Sequence, residues 1–525
     1  MLKNIALSAQ RFILRWQVRT SSLRLHPGIT RSAAMSVELM LVAVILLLLW
    51  QCCKKPSGLP PGRWGLPIIG YIPLTTKSLD QQLNDLQKKH GDIYLWRMGT
   101  QVVVFLHDYH LAKSAFHGPE FLNRPDLSLF TLLECPALGV VGSNGSIWRN
   151  NRRLTLRQLR DLGMGKSKLV GPLQTQAMIL VEELKKQAGK PRPIPHALTV
   201  ASVNVIWQMV VGKQFSVTDP KLKELKDLIN NLVGSVSRLV IPDLFPWVRY
   251  LIPKALAERL FQYDVLYKTK ERFREVVSEA INEHRASIDR DNPRDLTDGY
   301  LLEMEARVAD PDSTFSDKDL TFLIFDLFFN GSESMIKSMM WMFYYLASYP
   351  AVQRKLQAEI DDVLPKGTLP TLDDRPRMPY TEAVLHEVLR KSSLVSKSLQ
   401  RVAVRDTRLR GFLIPKGTIL TAVSFAMHHD PRYWDRPDEF LPERWLDEQG
   451  NFVSKKEGFM PFGVGKRVCL AEGLSRMQLL IFSTAVFQSL SVSHPPGGKT
   501  DLSPVPYNPL GHNPKIQDVY ITIRP

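Results

Sequence analysis

The longest uninterrupted apolar stretch of the chain lies near its N-terminus. Residues 39–50 carry only apolar side chains, and the segment from Val37 to Cys53 approaches the shortest length that spans a bilayer as a helix. Lys54 and Lys55 follow at once, which keeps that end in the cytosol by the positive-inside rule. A cleaved secretory signal is the alternative, but lysines, prolines and glycines follow instead of a small-residue cleavage site. We therefore predict an uncleaved transmembrane signal-anchor over residues 35–53.

Beyond a proline- and glycine-rich hinge at 54–70, the hydrophobic pattern is mainly helical. Residues 168–262 follow the helical period over most of their length, and a long helix is predicted over 316–348. Another helical run covers 470–489. Neither internal repeats nor low-complexity segments interrupt residues 71–525, which we therefore predict to form one domain.

Two shorter stretches predict β-structure. Apolar and polar residues alternate from Asp92 to Leu106 with a turn near Gly99, and a similar pattern covers 401–418. The fold class is therefore mainly α with small β-sheets. A proline-broken apolar patch at 239–252 is consistent with either a membrane-contact surface or a part of the core.

Composition narrows the classes of function. The net charge is +16, but lysine-rich tracts interleaved with aromatic residues are absent, so a nucleic-acid partner is not expected. A basic body suits an anionic membrane surface or an acidic protein partner. Four cysteines in 525 residues do not indicate a disulfide framework, which fits a reducing compartment.

The N-terminal extension at 1–34 allows two interpretations. It carries six basic residues, no acid and several serines, which is the composition of a mitochondrial transit peptide. Alternatively, translation starts at Met35 and the extension is an upstream-start artefact. We favour the second interpretation, under which protein that starts at Met35 is membrane-bound and active.

The strongest chemical signal is the sequence Phe-Gly-Val-Gly-Lys-Arg-Val-Cys-Leu-Ala at 462–471. Its two glycines allow a tight turn, so the loop can lie flat against a planar ligand. Cys469 comes just before a helical run, where the helix dipole and free N–H groups favour the thiolate over the thiol. A thiolate is a good axial ligand for haem iron. Arg467 is placed to pair with a haem propionate.

The spacing Phe-Gly-x-Gly-x-Arg-x-Cys-x-Ala resembles the haem-binding signature of the cytochrome P-450 family. This resemblance implies the family fold, a single large α-helical haem domain with small β-sheets, here behind an N-terminal membrane anchor. It implies haem b (iron protoporphyrin IX) as cofactor, Cys469 as the ligand of the iron, and Phe462 and Arg467 as further cofactor-binding residues.

Three residues elsewhere in the chain correspond to propionate partners in the family. Trp148 and Arg152 lie four residues apart, on one face of a predicted basic helix, and match a tryptophan and an arginine that hydrogen-bond a propionate. Arg401 falls where relatives place another basic propionate partner. The resemblance therefore implies that all three residues bind the cofactor.

In the middle of the long helix, residues 330–334 resemble the oxygen-activation motif of the family, small-Gly-x-acid-Thr. The resemblance implies catalytic roles for Ser334 and Glu333, which would relay protons at the distal face of the haem. Serine replaces the usual threonine, Asn330 replaces the small residue, and Phe329 stands where many relatives carry glycine. Ser334 keeps a hydroxyl. Phe329 and Asn330 predict a narrow pocket and a restricted substrate range.

Glu387 and Arg390, three apart on a predicted helix, resemble two members of a buried charge network in the family, and Arg444 matches the third. The resemblance implies that this network holds the loop beneath the haem. Lys397 lies in a stretch that lines the pocket in relatives. It either meets a substrate carboxylate or extends to solvent.

The resemblance covers residue 38 to the end, and the segments look most like the animal microsomal branch that handles xenobiotics, steroids and fatty acids. The implied function is a monooxygenase that inserts one oxygen atom into a lipophilic molecule such as a steroid, fatty acid, sesquiterpenoid or xenobiotic. Two alternatives stay open. A haem-thiolate isomerase or dehydratase would share the cysteine loop, and a non-catalytic haem-binding protein would keep the fold without turnover.

The resemblance also implies partners and a location. Electrons would come from NADPH through a membrane-bound flavoprotein, NADPH–cytochrome reductase, with cytochrome b5 as a further candidate partner. Lys466 and its basic neighbours would meet the acidic face of the reductase. The implied location is the endoplasmic reticulum membrane with the catalytic domain in the cytosol, or the mitochondrion if 1–34 is a transit peptide.

Overall fold

The structure, a computed structural model, describes residues 39–40, 42–44, 54–131, 134, 136–506 and 511–525. The predicted extension at 1–34 and most of the predicted anchor at 35–53 lie outside the described residues. Within the described part of the chain, no helix is both long and apolar enough to cross a membrane.

The chain divides into two units, residues 1–57 with 64–67 and residues 58–63 with 68–525. In the first unit, residues 39–40 and 42–44 are helical and exposed. The second unit contains all the elements described below. The predicted domain boundaries at residues 54 and 71 stay a prediction.

The second unit is mainly helical, as predicted, with 51% of residues in helices. Its α-helices in chain order are α1 (Leu79–His90), α2 (Tyr109–His117), α3 (Ser128–Thr131), α4 (Gly145–Asp161), α5 (Val170–Lys185), α6 (Ala197–Val211), α7 (Pro220–Arg238), α8 (Val240–Leu244), α9 (Val248–Leu251), α10 (Lys254–Phe261), α11 (Tyr263–Ser287), α12 (Leu296–Ala306), α13 (Asp317–Ser348), α14 (Pro350–Val363), α15 (Pro379–Ser392), α16 (Ser424–His428) and α17 (Glu472–Ser489). Short 3₁₀ helices cover Ser167–Leu169, Arg375–Arg377 and Pro442–Trp445.

The strands form three small sheets. They are β1 (Gly62–Arg63), β2 (Ile93–Met98), β3 (Gln101–Leu106), β4 (Arg192–Pro193), β5 (Arg401–Val402), β6 (Thr407–Leu409), β7 (Phe412–Ile414), β8 (Ile419–Ala422), β9 (Leu490–Ser493) and β10 (Asp518–Ile523). The largest sheet has the order β1-β2-β3-β8-β5, in which β2–β3 and β5–β8 are antiparallel and the other pairs are parallel. The others have the orders β4-β10-β9 and β6-β7.

The long predicted helix is confirmed as α13, which passes through the main hydrophobic core. Ser316 caps it by accepting a hydrogen bond from the Asp319 N–H at 3.1 Å. Helix α6, buried along nearly its whole length, packs closely against α13. A Cβ on Gly331 would lie 2.8 Å from the Ile206 side chain. This glycine therefore lets the two helices approach.

Two sequence expectations were partly wrong. The helix after the cysteine begins at Glu472 rather than at residue 470, because Ala471 is its N-cap, whose carbonyl accepts a hydrogen bond from the Ser475 N–H at 2.8 Å. The predicted 92–106 hairpin is confirmed as β2–β3. The 401–418 segment, however, contains only the short β6–β7 hairpin, and Arg401–Val402 instead pairs with β8.

The 239–252 patch is partly core and partly exposed. Leu239 is buried, whereas Ile241, Tyr250 and Leu251 are 53%, 89% and 72% exposed. The main-chain carbonyl of Leu244 accepts a hydrogen bond from the Thr100 N–H at 2.9 Å, which fixes the patch against the β2–β3 turn.

Candidate active site

The cysteine loop is held against α2 by its backbone. A Cβ on Gly465, whose φ is +80°, would lie 2.1 Å from the carbonyl oxygen of Phe116. Only glycine fits there, because φ and contact both exclude a side chain. The Cys469 N–H donates to the Phe462 carbonyl at 3.0 Å and closes the loop on itself. The aromatic ring of Phe462 lies 5.0 Å from the guanidinium of Arg476.

The environment of Cys469 favours the thiol in the free protein. Its side chain is exposed, yet burial raises the pKa of the thiol, and a hydrogen bond from the Ala471 N–H together with Arg152 offsets this only in part. These two facts agree if the sulfur faces a recess inside the protein rather than bulk solvent. The Ala471 N–H at the helix terminus favours the thiolate, as expected, but burial has the larger effect and raises the pKa of the Cys469 thiol. Metal binding would release the proton.

Arginine side chains gather beside this loop. Arg467 donates to the carbonyls of Leu122 at 3.1 Å and Ser143 at 2.7 Å, and Arg152 donates to the carbonyl of Val468 at 2.9 Å. The Arg467 guanidinium lies 4.2 Å from the Trp148 ring centroid. Helix α4 thus brings its predicted pair to the cysteine loop.

Two further arginines complete the cluster. Arg401 on β5 is buried against the ring of Phe116, 5.3 Å away. Arg124, which sequence reasoning missed, donates to the carbonyls of Leu399 at 2.9 Å and Gln400 at 2.8 Å. It therefore fixes the segment that leads into β5.

The cluster carries positive charge that the protein balances only in part, with Asp326 acting on Arg124 and Cys469 on Arg152. Burial, and then repulsion by neighbouring arginines, lowers the pKa of Arg401 and of Arg467 to about 9. The pKa values of Arg124 and Arg152 are also lowered, chiefly by burial. In the described parts of the chain, the hydrogen bonds of Arg124, Arg152 and Arg467 go to carbonyl or amide oxygens and not to carboxylates.

Two buried donors in this cluster lack an acceptor, Trp148 Nε1 and one terminal nitrogen of Arg401. Buried polar groups are almost always hydrogen-bonded, and two unpaired donors within one cluster of arginines fit a ligand with acceptor atoms at this place. The buried arginines and the unpaired donors lie next to a recessed thiol. Together they complement a planar group that carries two carboxylates and a metal. The residues present therefore fit haem and its propionates.

The two predicted catalytic residues lie on α13. The Ser334 hydroxyl donates to the Asn330 carbonyl at 2.6 Å, and the Glu333 carboxylate pairs with Lys337 at 3.1 Å. Ser332 and Ser338 donate in the same way to carbonyls four residues earlier. Such bonds compete with the helical ladder and often bend a helix. The structure thus places these side chains in local contacts within one helix.

The predicted charge network is confirmed geometrically. The Glu387 carboxylate accepts two hydrogen bonds from Arg390, at 2.7 and 2.8 Å, in a bidentate pair. It accepts a third from Arg444 at 3.1 Å. Arg390 also donates to the His428 carbonyl at 2.6 Å, and His428 Nε2 accepts from the Met460 N–H at 3.0 Å. His428, missed from the sequence, thus links the network to the start of the cysteine loop.

Acids on α13 hold the segment that precedes α4. Asp326 accepts hydrogen bonds from the N–H groups of Val140 and Val141 at 2.7 and 2.8 Å, and Asp319 accepts from the Gly139 N–H at 2.9 Å. Burial raises the pKa of Asp326 to about 7. Sequence reasoning missed both acids, although their spacing of seven on an apolar helix was a usable signal.

Lys397 does not extend to solvent, which was one of its two interpretations. Its ammonium lies 3.3 Å from Asp80 and 3.0 Å from the Ser396 hydroxyl, and its side chain is only 16% exposed. Asp80 also pairs with His512 at 2.9 Å. The lysine therefore links Ser396 to Asp80 on α1, and its contact with a substrate carboxylate stays a prediction.

Comparison with known proteins agrees with this geometry. The family profile described as Cytochrome P450 matches residues 60–515. The chain is 40% identical to Cytochrome P450 2L1 of Panulirus argus, over 90% of this chain and 96% of that one. It is 35% identical to Cytochrome P450 2B4 of Oryctolagus cuniculus and to Cytochrome P450 2C39 of Mus musculus, over 89% of this chain and 94% and 95% of theirs. The chain therefore belongs to the cytochrome P450 family of haem-thiolate monooxygenases, whose cofactor is haem b.

Proposed function

We propose that this protein inserts one atom of dioxygen into a lipophilic small molecule, with electrons from NADPH delivered by a flavoprotein reductase. The single observation that carries the proposal is the cluster of buried, only partly balanced arginines with free donors beside the Cys469 loop. The substrate is a steroid, fatty acid, sesquiterpenoid or xenobiotic.

We assign the haem-binding roles from these contacts. Cys469 would ligate the iron, while Trp148, Arg152, Arg401 and Arg467 would hold the propionates. When bound, haem supplies the iron at which dioxygen is activated, under electron donation from the thiolate. Phe462 would pack beside the cofactor with its backbone closing the loop.

At the distal face, Ser334 is the proposed donor of protons and Glu333 the acid that supplies them. While the Ser334 hydroxyl donates to Asn330, its lone pairs stay free to accept from a water molecule. Rotation about χ1 redirects the proton toward substrate space, which serine allows more readily than threonine. Lys337 orients the Glu333 carboxylate.

Phe329 supports the proposal of a narrow pocket. Its ring stacks on Phe325 with centroids 5.8 Å apart and planes 5° apart, so the side chain is held in one place. Phe329→Ala should raise turnover of bulky substrates relative to small ones. Unchanged relative turnover would mean that this ring does not restrict the pocket.

The proposed location is the endoplasmic reticulum membrane, with the catalytic domain on the cytosolic side. Exposed apolar side chains support it: Ile72 and Leu74 are 55% and 99% exposed, and Tyr250 and Leu251 belong to the exposed part of the 239–252 patch. A patch of this kind suits contact with lipid. The predicted anchor ends at residue 53, and in sequence it is closer to Ile72 and Leu74 than to the 239–252 patch.

The proposed electron donor is NADPH–cytochrome reductase, with cytochrome b5 as a second donor. A recess of about 340 Å³ beside the Cys469 loop is lined by Lys113, Lys455, Lys456 and Phe462, among others. Lysines at such a rim favour an acidic partner and accelerate its docking.

Reconstitution of the full chain with reductase in membranes tests the proposal. We expect NADPH-dependent oxygen uptake, a product with one added oxygen atom, and a strongly red-shifted Soret band after reduction under carbon monoxide. Cys469→Ala should lose all three. Product formation without NADPH would instead indicate an isomerase or dehydratase, and haem binding without turnover would indicate a non-catalytic protein.

The proposed propionate roles can be tested with a matched pair of substitutions, one on β5 and one just after it. Arg401→Leu should lower haem retention, since it removes a buried donor, whereas Arg405→Leu removes an exposed arginine paired with Glu120 and should not. The haem-to-protein ratio after dialysis measures both. Equal haem loss in the two variants would contradict the assignment.

A further inference from the structure

A buried histidine, His428, contacts the segment that leads into the Cys469 loop. It is the last residue of α16, and both nitrogens of its ring have partners. Nε2 lies 3.0 Å from the Met460 nitrogen, and Nδ1 lies 2.8 Å from the Ser393 hydroxyl. The imidazole therefore connects the end of α15 to residue 460, two positions before the loop begins.

The partners of this ring fix one tautomer. Met460 offers only a backbone N–H here, so Nε2 must accept and carries no proton. The proton then lies on Nδ1 and is donated to the Ser393 hydroxyl, which itself donates to the Arg390 carbonyl at 2.7 Å. Burial, with repulsion by His429 and Arg390, holds the pKa of His428 well below its ordinary value, so the ring stays neutral. Nε2 thus keeps its lone pair for Met460.

Two backbone hydrogen bonds connect Met460 to the cysteine. The Met460 carbonyl accepts from the Gly463 N–H at 3.0 Å, which closes a turn around Phe462. The Phe462 carbonyl in turn accepts from the Cys469 N–H at 3.0 Å. The position of the Met460 backbone therefore affects where the Cys469 backbone lies.

The residue before Met460 is also held in place. The ring of Phe459 packs edge-on against Trp445 with centroids 4.6 Å apart, and the His428 ring lies 5.6 Å from it. Trp445 donates to Glu387 at 3.0 Å, so these rings adjoin the buried charge network. Close packing on this side directs the Met460 N–H at Nε2.

The two halves of the Cys469 loop are held from different sides. The close approach of Gly465 to Phe116 and the hydrogen bond from Arg152 to the Val468 carbonyl hold its C-terminal half. The N-terminal half follows directly from the Met460 contact. Loss of the acceptor at Nε2 would leave a buried N–H unpaired, which favours a displaced segment in which that N–H reaches water.

We propose, on the basis of the iron ligation by Cys469 proposed above, that His428 is a positioning residue for that ligand and acts by holding the Met460 N–H through Nε2. With the acceptor in place, the turn at 460–463 keeps one conformation and the sulfur one position. Without it, the turn shifts and the Cys469 thiolate leaves the iron more readily.

Two substitutions of His428 separate the roles of its ring nitrogens. Glutamine has a carbonyl oxygen that reaches about as far as Nε2 and can accept from Met460, whereas asparagine reaches only about as far as Nδ1. We therefore expect His428→Gln to retain the loop and His428→Asn to release it. His429→Asn is the matched control, because the His429 ring contacts the Phe425 carbonyl and Lys391 instead of Met460.

The first measurement follows the strongly red-shifted Soret band of the reduced, carbon-monoxide-treated holoenzymes over time. We expect His428→Asn to lose this band about tenfold faster than the wild type, and His428→Gln and His429→Asn to stay within about twofold of it. A band that persists equally in the wild type and His428→Asn would overturn the role of His428. Absence of the band from the wild type would instead contradict the ligation by Cys469 itself.

Hydrogen–deuterium exchange of the same holoenzymes tests the contact directly. The peptide that contains Met460 should exchange about tenfold faster in His428→Asn than in the wild type, while a peptide from α13 should exchange equally in both. A general loss of stability would accelerate both peptides. Equal acceleration of the two peptides, unchanged exchange at Met460, or equal behaviour of His428→Gln and His428→Asn would each overturn the proposal.

Discussion

Asp326 should make the stability of this protein fall as the pH rises, and Asp326→Asn should remove that dependence. The carboxylate is buried on α13, and one of its oxygens accepts both the Val140 and the Val141 N–H. Asparagine keeps the shape and one acceptor oxygen but cannot ionise. The substitution therefore changes charge while it preserves the contact with the segment before α4.

The magnitude follows from the pKa of Asp326. Burial raises it from 3.8 to about 7, and the backbone hydrogen bonds offset burial only in part. The folded state thus binds a proton that the unfolded state has released, so stability decreases from pH 4 to pH 7 and then levels off. About three pKa units correspond to about 4 kcal/mol, of which about 3 kcal/mol develops between pH 5 and pH 8.

Urea unfolding of the holoenzyme at pH 5 and pH 8 measures this difference. We expect the wild type to lose about 3 kcal/mol more than Asp326→Asn between the two pH values. Asp310→Asn, at an exposed position, is the control and should follow the wild type. Parallel pH profiles for the wild type and Asp326→Asn would refute the reasoning, because the carboxylate would then be ionised in the fold at no cost.

Three further outcomes are expected. Glu387→Ala strands the buried Arg390 charge, so it should cost about 3 to 5 kcal/mol and abolish haem retention, measured by the reduced carbon monoxide spectrum. His284 donates from Nδ1 to the Ala280 carbonyl and from Nε2 to Asp295, and although burial opposes it, this pairing raises the pKa of His284. Its contribution to stability is thus complete below pH 6.5 and lost as the pH rises through the folded value, so His284→Gln should destabilise the protein more at pH 6 than at pH 9 in thermal unfolding. Ser334→Ala should consume more NADPH per product than the wild type, whereas Ser338→Ala, which removes a similar bond one turn later, should not.

The sequence predicted the candidate site best where a motif consists of consecutive residues or of residues spaced by one helical turn. The Cys469 loop, the Glu387–Arg390 pair and the Trp148–Arg152 pair each depend on spacings within one element, and the structure places each as expected. Contacts within such a motif can be predicted because all of its residues belong to one element with one backbone conformation.

Residues that act through distant backbone groups could not be found in this way. Arg124 binds the carbonyls of Leu399 and Gln400, and His428 accepts from the Met460 N–H. Nearly every residue has the same backbone carbonyl and N–H groups, so the sequence does not indicate which of them will be the partners. The β5–β8 pairing was missed for the same reason, since a nearby turn suggested a local hairpin.

Beside Cys469, the departure from sequence expectation concerns charge. A thiol pKa raised at Cys469, arginine pKa values lowered at Arg401 and Arg467, and a free donor on Trp148 are each unfavourable in the folded chain alone. A metal held by the Cys469 thiolate and two carboxylates held by the arginines would relieve all of them together, because each group would then meet a charge of opposite sign. Sequence reasoning predicted a thiolate from the helix terminus; in the chain alone, burial raises the pKa of the Cys469 thiol, so the thiolate would form when the metal binds.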